Sequence, residues 1–117
     1  MYLVKAAASF GLKQYDQTIG SARRGIGITP TNSAFARWFY FELIAALALT
    51  GREAEAQEAL QSYLKSVPDG PKTIAAWKAA VAQFASSFHA PRYLEVLDRH
   101  YDGLRKAGMP EGEKKTD

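Results

Sequence analysis

The spacing of apolar residues constrains this chain more than any other feature of its sequence. Tyr15, Ile19, Ala22 and Ile26 recur at i, i+4, i+7 and i+11, which is one face of an α-helix. Similar stripes follow along the later parts of the chain, and no segment of any length alternates with a period of two. The pattern therefore predicts a protein built from α-helices alone.

Turn-forming residues separate the stripes and set the predicted helix limits. Thr50-Gly51 suits a helix end with a left-handed glycine. Pro68-Asp69-Gly70-Pro71 predicts a turn, with Pro71 in the first turn of the next helix. Gly108-Met109-Pro110 is expected to stop the last helix. We predict six helices, joined by short connections that make neighbours antiparallel, at residues 2–13, 15–28, 33–50, 52–66, 71–87 and 91–107.

An internal repeat with an offset of 38 residues relates two of these helix pairs. It places Ala22 on Leu60, Ile26 on Leu64 and Pro30 on Pro68. The second unit also carries residues at spacings typical of a tetratricopeptide repeat, namely Leu43-Ile44, Leu47, Gly51, Ala56 and Pro68. Residues 1–110 thus resemble that family, which implies a superhelix of three stacked helix pairs followed by a flexible tail at 111–117.

A second resemblance lies at the C-terminal end. Pro91-Arg92-Tyr93-Leu94 and the segment from Tyr101 to Glu111 (YDGLRKAGMPE) are similar to the last part of bacterial class III adenylate/guanylate cyclases that carry C-terminal tetratricopeptide repeats. In that family the catalytic domain lies upstream and uses two metal-binding aspartates, which have no counterpart here. The resemblance therefore implies a regulatory or interaction segment that is associated with a cyclase and is not itself an enzyme.

Composition excludes several other classes of protein. The chain has no cysteine, so disulfides and zinc-thiolate sites are excluded, and a cytoplasmic location is compatible with this. The net charge of +3 is mixed along the chain, which does not suggest a nucleic-acid-binding stripe. The most apolar run, from Trp38 to Leu49, contains Glu42 and is too short for a membrane span. We expect no catalytic residue, cofactor or metal site.

The third predicted helix begins with an aromatic-rich segment, in which Phe35, Trp38, Phe39, Tyr40 and Phe41 fall within seven residues. These side chains spread over more than one face. Two interpretations stay open: the helix is sandwiched between others, or it exposes a patch that docks another chain. On the second, the predicted partner-binding residues are Arg37, Trp38, Phe41, Glu42 and Lys78, and the partner is a protein or peptide.

The remaining polar residues suggest weaker alternatives. His100 with Asp98 or Asp102 matches no standard zinc spacing, so His100 is interpreted as a residue at the boundary of the core. Lys13 with Arg23-Arg24 could contact phosphate or an acidic peptide, or form a solvated face. The favoured function is a protein-interaction module that also self-associates. The alternatives are part of a cyclase, a stand-alone scaffold that dimerises, or a ligand-binding bundle with an apolar pocket near Trp38 and Trp77.

Overall fold

The computed structural model describes residues 2–30, 33–84 and 91–112, and in these ranges the chain is helical and has no strand. All six predicted helices are present, which confirms the all-α fold class. They are α1 (Tyr2–Gly11), α2 (Tyr15–Ile28), α3 (Ala34–Leu49), α4 (Glu53–Ser66), α5 (Ile74–Phe84) and α6 (Pro91–Ala107). Within the described ranges, no helix is long and apolar enough to cross a membrane.

The helix ends follow local capping chemistry. Ser33 precedes α3, and its side chain accepts a hydrogen bond from the Phe35 amide at 3.1 Å. Gly51 follows α3 with φ at 81°, as the sequence predicts for a helix stop. The expected start of α5 at Pro71 is wrong. This helix begins at Ile74, because the Thr73 hydroxyl accepts a hydrogen bond from the Ala76 amide and caps it there.

Helix α3 is the centre of the packing and contacts α1, α2, α4 and α6. Its residues Phe39, Tyr40 and Phe41 are buried, so the interpretation of a sandwiched helix is confirmed for most of the aromatic segment. Phe35, at the start of the helix, is exposed. Gly25 of α2 lies against the Phe39 ring, which would clash with any side chain at that position.

The third helix pair differs from the stacked arrangement expected for it. Helix α6 packs mainly on α3 and shares little contact with α5. It runs parallel to α3, since Phe41 meets Tyr101 and Ala45 meets Gly103. Helix α5 meets α3 through the Trp77 ring, whose centroid lies 4.5 Å from that of Phe41. It meets α6 where the Lys78 ammonium lies over the Tyr101 ring. The short connections predicted that sequence neighbours pack against each other, whereas α6 packs mainly on α3, which is not its neighbour in the sequence.

The segment after α6 is tied to the start of α5. The amides of Ile74 and Ala75 donate to the carbonyls of Pro110 and Glu111, both at 2.9 Å. These two residues thus complete the first turn of α5, where amides have no partner within the helix. The predicted flexible tail is held at its first residue, and residues 113–117 of that tail lie outside the described residues.

Tyr63 of α4 links the core to the turn before α5, and this contact predicts a pH dependence of stability. Its phenol is fully buried and donates to the Pro71 carbonyl at 2.6 Å. Burial raises its pKa far above the ordinary value of 10.0, although the nearby charge of Arg37 lowers it slightly. The stabilisation is complete below the pKa of the unfolded chain and is lost as the pH rises above about 10.

Urea unfolding between pH 8 and pH 11 measures this effect. We expect the free energy of unfolding to fall with pH above about 10, and Tyr63→Phe to flatten that fall while lowering stability at neutral pH by about 1 kcal/mol through the lost hydrogen bond. Ser62→Ala, at an exposed serine of α4, is the matched control and should leave the slope unchanged, because the hydroxyl that it removes does not titrate in this range. An equal slope in wild type and Tyr63→Phe would contradict the assignment.

Candidate functional site

A groove of about 590 Å³ lies between α1 and the first half of α6, with α3 beneath it and α5 at its border. Most of its wall is apolar, which suits a surface that binds an apolar partner or ligand. The apolar side chains come from all four helices: Leu3, Ala7, Ala8 and the nearby Leu12 from the α1 region, Trp38 and Phe41 from α3, Val81 from α5, and Val96 and Leu97 from α6.

The predicted partner-binding residues divide between this groove and other places. Trp38, Phe41 and Glu42 all line the groove. Arg37 is half-buried near Tyr63, and Lys78 is exposed with its ammonium 5.4 Å from the centroid of the Tyr101 ring. Neither Arg37 nor Lys78 lines the groove. The structure therefore gathers three of the five residues into one site.

The polar floor of the groove is a buried pair formed by Glu42 and His100. Glu42 Oε1 lies 2.8 Å from His100 Nε2, and the two side chains are only 8% and 4% exposed. The imidazole is stacked between two rings, with centroid distances of 3.6 Å to Phe10 and 4.5 Å to Phe41. The expectation that His100 is a boundary residue beside Tyr101 is wrong. It lies at the junction of α1, α3 and α6.

The hydrogen bonds of His100 define the charge of this pair. Nδ1 lies 3.0 Å from the Val96 carbonyl, and a carbonyl only accepts, so Nδ1 carries a proton and donates. Nε2 then either donates to an ionised Glu42 or accepts from a protonated Glu42. One proton is shared in both cases, and the pair has no net charge, which makes its burial tolerable. Both nitrogens are engaged, so the imidazole has none left for a ligand.

Arg99 of α6 lies beside this pair and caps the end of α1. It donates to the carbonyls of Phe10 and Gly11, both at 3.2 Å, and to the Tyr15 hydroxyl at 2.8 Å. The last carbonyls of a helix have no partner within it and carry partial negative charge. The guanidinium therefore stabilises the end of α1 and lines the groove at the same time.

Lys13 adds a second cation at the same end of the groove. Its backbone has φ at 63°, which makes it the only residue other than glycine with a positive φ in the part of the chain that the structure describes. A left-handed conformation costs a residue with a Cβ about 1–2 kcal/mol. Glycine is the usual residue in this conformation after a helix, so a lysine at this position makes the native backbone less stable than glycine would.

Sequence reasoning missed the Glu42–His100 pair, although two signals for it exist. Glu42 is the one charged residue in the apolar run from Trp38 to Leu49. His100 belongs to an apolar stripe that faces the core: with Leu97 as position i, His100 is at i+3 and Leu104 is at i+7. A charge and an imidazole in two buried stripes are candidates for a mutual pair. No local rule places them against each other across 58 positions.

Local contacts account for the acidic residues at the start of α4. Glu53 and Glu55 lie in the first turn of α4, where negative charge complements the helix dipole, and Glu55 also pairs with Arg23 at 3.0 Å. No group of three or more metal-ligating side chains occurs within residues 2–30, 33–84 and 91–112. His89 lies outside the described residues.

Comparisons with protein-family models, curated proteins and solved structures found no match.

Proposed function

We propose that this chain is a non-catalytic binding module that recognises an apolar segment of a partner protein through the groove beside α1 and α6. The main observation behind this proposal is the groove, which has a mostly apolar wall and a volume of about 590 Å³. Leu12 lines the groove and extends this apolar surface outward, since it is 69% exposed. Exposed large apolar side chains next to a concave apolar surface are typical of an interaction site.

We also infer that α1–α4 stack as two helix pairs of the tetratricopeptide type. Two surface ion pairs support the same direction for α2 and α4, because Asp16 meets Arg52 and Arg23 meets Glu55. The first helices of such pairs would form the binding face. Helix α6 packs along α3 and reaches the end of α1 through Arg99, so it covers part of that face, and the groove is the part that stays open.

The proposed link to a nucleotide cyclase rests mainly on the resemblance of the C-terminal segment, and the stretch from Ala45 to Arg52 also resembles a repeat of that family. Three residues of the C-terminal segment have packing or turn roles in this fold: Gly103 lies against Ala45, Gly108 has φ at 108°, and Met109 is buried. Such roles explain these residues without a cyclase. A cyclase domain encoded in frame before Met1 would support the link, and a different output domain there would contradict it.

A second candidate function is a small-ligand-binding bundle. It is favoured by the size of the groove, because small-molecule sites commonly enclose about 300–1,000 Å³, and by its four helical walls. The sequence predicted such a pocket near Trp38 and Trp77. Trp38 lines the groove, whereas Trp77 is 1% exposed and lies in the core beneath it.

A peptide-display selection tests the protein-binding proposal. Peptides selected on the full chain should bind the Leu12→Glu variant at least about tenfold more weakly, which corresponds to about 1.4 kcal/mol, because the change places a charge on the apolar rim. Ile28→Glu is the matched control, since Ile28 is 72% exposed and does not line the groove. Fluorescence anisotropy gives the dissociation constants. Equal weakening by both variants, or no selectable peptide, would contradict the proposal.

A further inference from the structure

We propose that the groove binds a small apolar carboxylate, such as an alkyl or aryl carboxylic acid, with its charge held between Arg99 and Lys13. This inference rests on the second candidate function, the small-ligand-binding bundle, and names its ligand class. The ligand's apolar body would lie along Trp38 and Val81, which line the groove from α3 and α5. Its carboxylate would lie where α1 ends.

Arg99 has donors left for such an anion. A guanidinium carries five N–H donors, and the three hydrogen bonds of Arg99 use two on Nη1 and one on Nη2. The remaining donors are Nε–H and one N–H of Nη2, and the atoms Nε and Nη2 form one edge of the planar group. That edge is the one that holds a carboxylate with two parallel hydrogen bonds. Arg99 is half-buried and lines the groove, which strengthens a bond made there.

Lys13 supplies the second positive charge. It is exposed at the groove, and its ammonium has no hydrogen-bond or ion-pair partner among the described residues. Its left-handed backbone would be served better by glycine. A lysine in that conformation therefore lowers the local stability of the fold, and residues with a strained backbone cluster at ligand sites. The groove thus has two cations at one end and an apolar wall along the rest.

The negative groups around the groove do not cancel these cations. Glu42 shares its proton with His100, so that pair adds no net charge to the floor. The terminal carbonyls of Phe10 and Gly11 already accept from Arg99. Glu95 is an exposed anion that also lines the groove, so Lys13, Arg99 and Glu95 together leave one net positive charge. A carboxylate is therefore favoured over a cation at the end of the groove that Lys13 and Arg99 share.

Binding of decanoate and decanol to the full chain tests the ligand class, because the two probes share an alkyl chain and differ in charge. Titration below the micelle concentration, followed by tryptophan fluorescence and by calorimetry, should show decanoate binding at least tenfold more tightly than decanol. The Nε–H proton resonance of Arg99 should shift with decanoate and not with decanol. The preference should also weaken as salt is raised, since an ion pair at a partly exposed site is screened.

The Lys13→Gly variant separates ligand binding from folding. It removes the positive charge and relieves the left-handed backbone, so it should melt at a higher temperature than wild type and still bind decanoate several-fold more weakly. Its affinity for decanol should stay unchanged. Lys5→Gln is the matched control, because Lys5 is an exposed cation of α1 that does not line the groove. It should leave both affinities as in wild type.

The outcomes distinguish this inference from the function on which it rests. Equal binding of decanoate and decanol would overturn the carboxylate site and leave an apolar ligand site standing. Failure of decanoate to bind at millimolar concentration, together with failure of decanol to bind up to its solubility limit, would overturn the small-ligand function itself. Equal losses of decanoate affinity in Lys13→Gly and Lys5→Gln would show a diffuse charge effect and would also overturn the site.

Discussion

Replacing Gly103 with alanine is expected to lower the free energy of unfolding by about 1–3 kcal/mol, because α6 packs on α3 too closely for a side chain there. A Cβ atom at this position would lie 2.7 Å from both the Cα and the carbonyl oxygen of Ala45, and 2.9 Å from its Cβ. These are mainly backbone atoms, so the clash is relieved only if the two helices move apart. Gly103→Val should destabilise the protein further.

Gly20 of α2 provides a control with the opposite expected sign. No atom lies within 4 Å of a Cβ built there, and the residue is in the interior of a helix. Gly20→Ala should therefore raise stability by about 1 kcal/mol, because alanine has the higher helix propensity. Urea unfolding with unchanged m-values measures both variants. A Gly103→Ala variant as stable as wild type would contradict the close contact between α3 and α6 at this position.

The sequence predicts the local features of this fold well, because local physics determines them. Helical periodicity predicts all six helices, and the positive φ of Gly51 follows from its position after the last apolar residue of α3. Glycines inside helices are harder to interpret. Helix propensity alone predicts that Gly25 and Gly27 both weaken α2, yet Gly25 lies against the Phe39 ring and Gly27 has open space. The sequence pattern alone does not distinguish a glycine that only lowers helix stability from one that allows another helix to pack closely.

Contacts between distant parts of the chain decide the candidate site, and for this reason only part of it was predictable. Trp38, Phe41 and Glu42 were predicted as partner-binding residues, and they line the groove. Arg99 and His100 complete it from α6. Their positions depend on α6 packing on α3 instead of completing a pair with α5. The close approach of Gly103 to Ala45 is part of this packing, and no periodicity encodes it.

Truncating one partner of the Glu42–His100 pair should be among the most damaging single changes in this protein. Glu42→Ala leaves the His100 imidazole buried without the group that shares its proton, and it opens a cavity beside Phe41. Breaking a buried pair in this way typically costs about 3–5 kcal/mol. That is a large part of the 5–15 kcal/mol that stabilises a typical domain. Asp16→Ala, which removes an 83% exposed partner of Arg52, should cost less than about 1 kcal/mol.

A double-mutant cycle separates the pairing from the packing. Glu42→Leu combined with His100→Phe replaces both polar groups with apolar ones and keeps a ring between Phe10 and Phe41. The double variant should cost far less than the sum of the two single variants, because neither polar group is then left unpaired. Additive costs would instead mean that water reaches the floor of the groove and solvates each partner alone. In that case the neutral floor on which the preference for an anion depends would not exist.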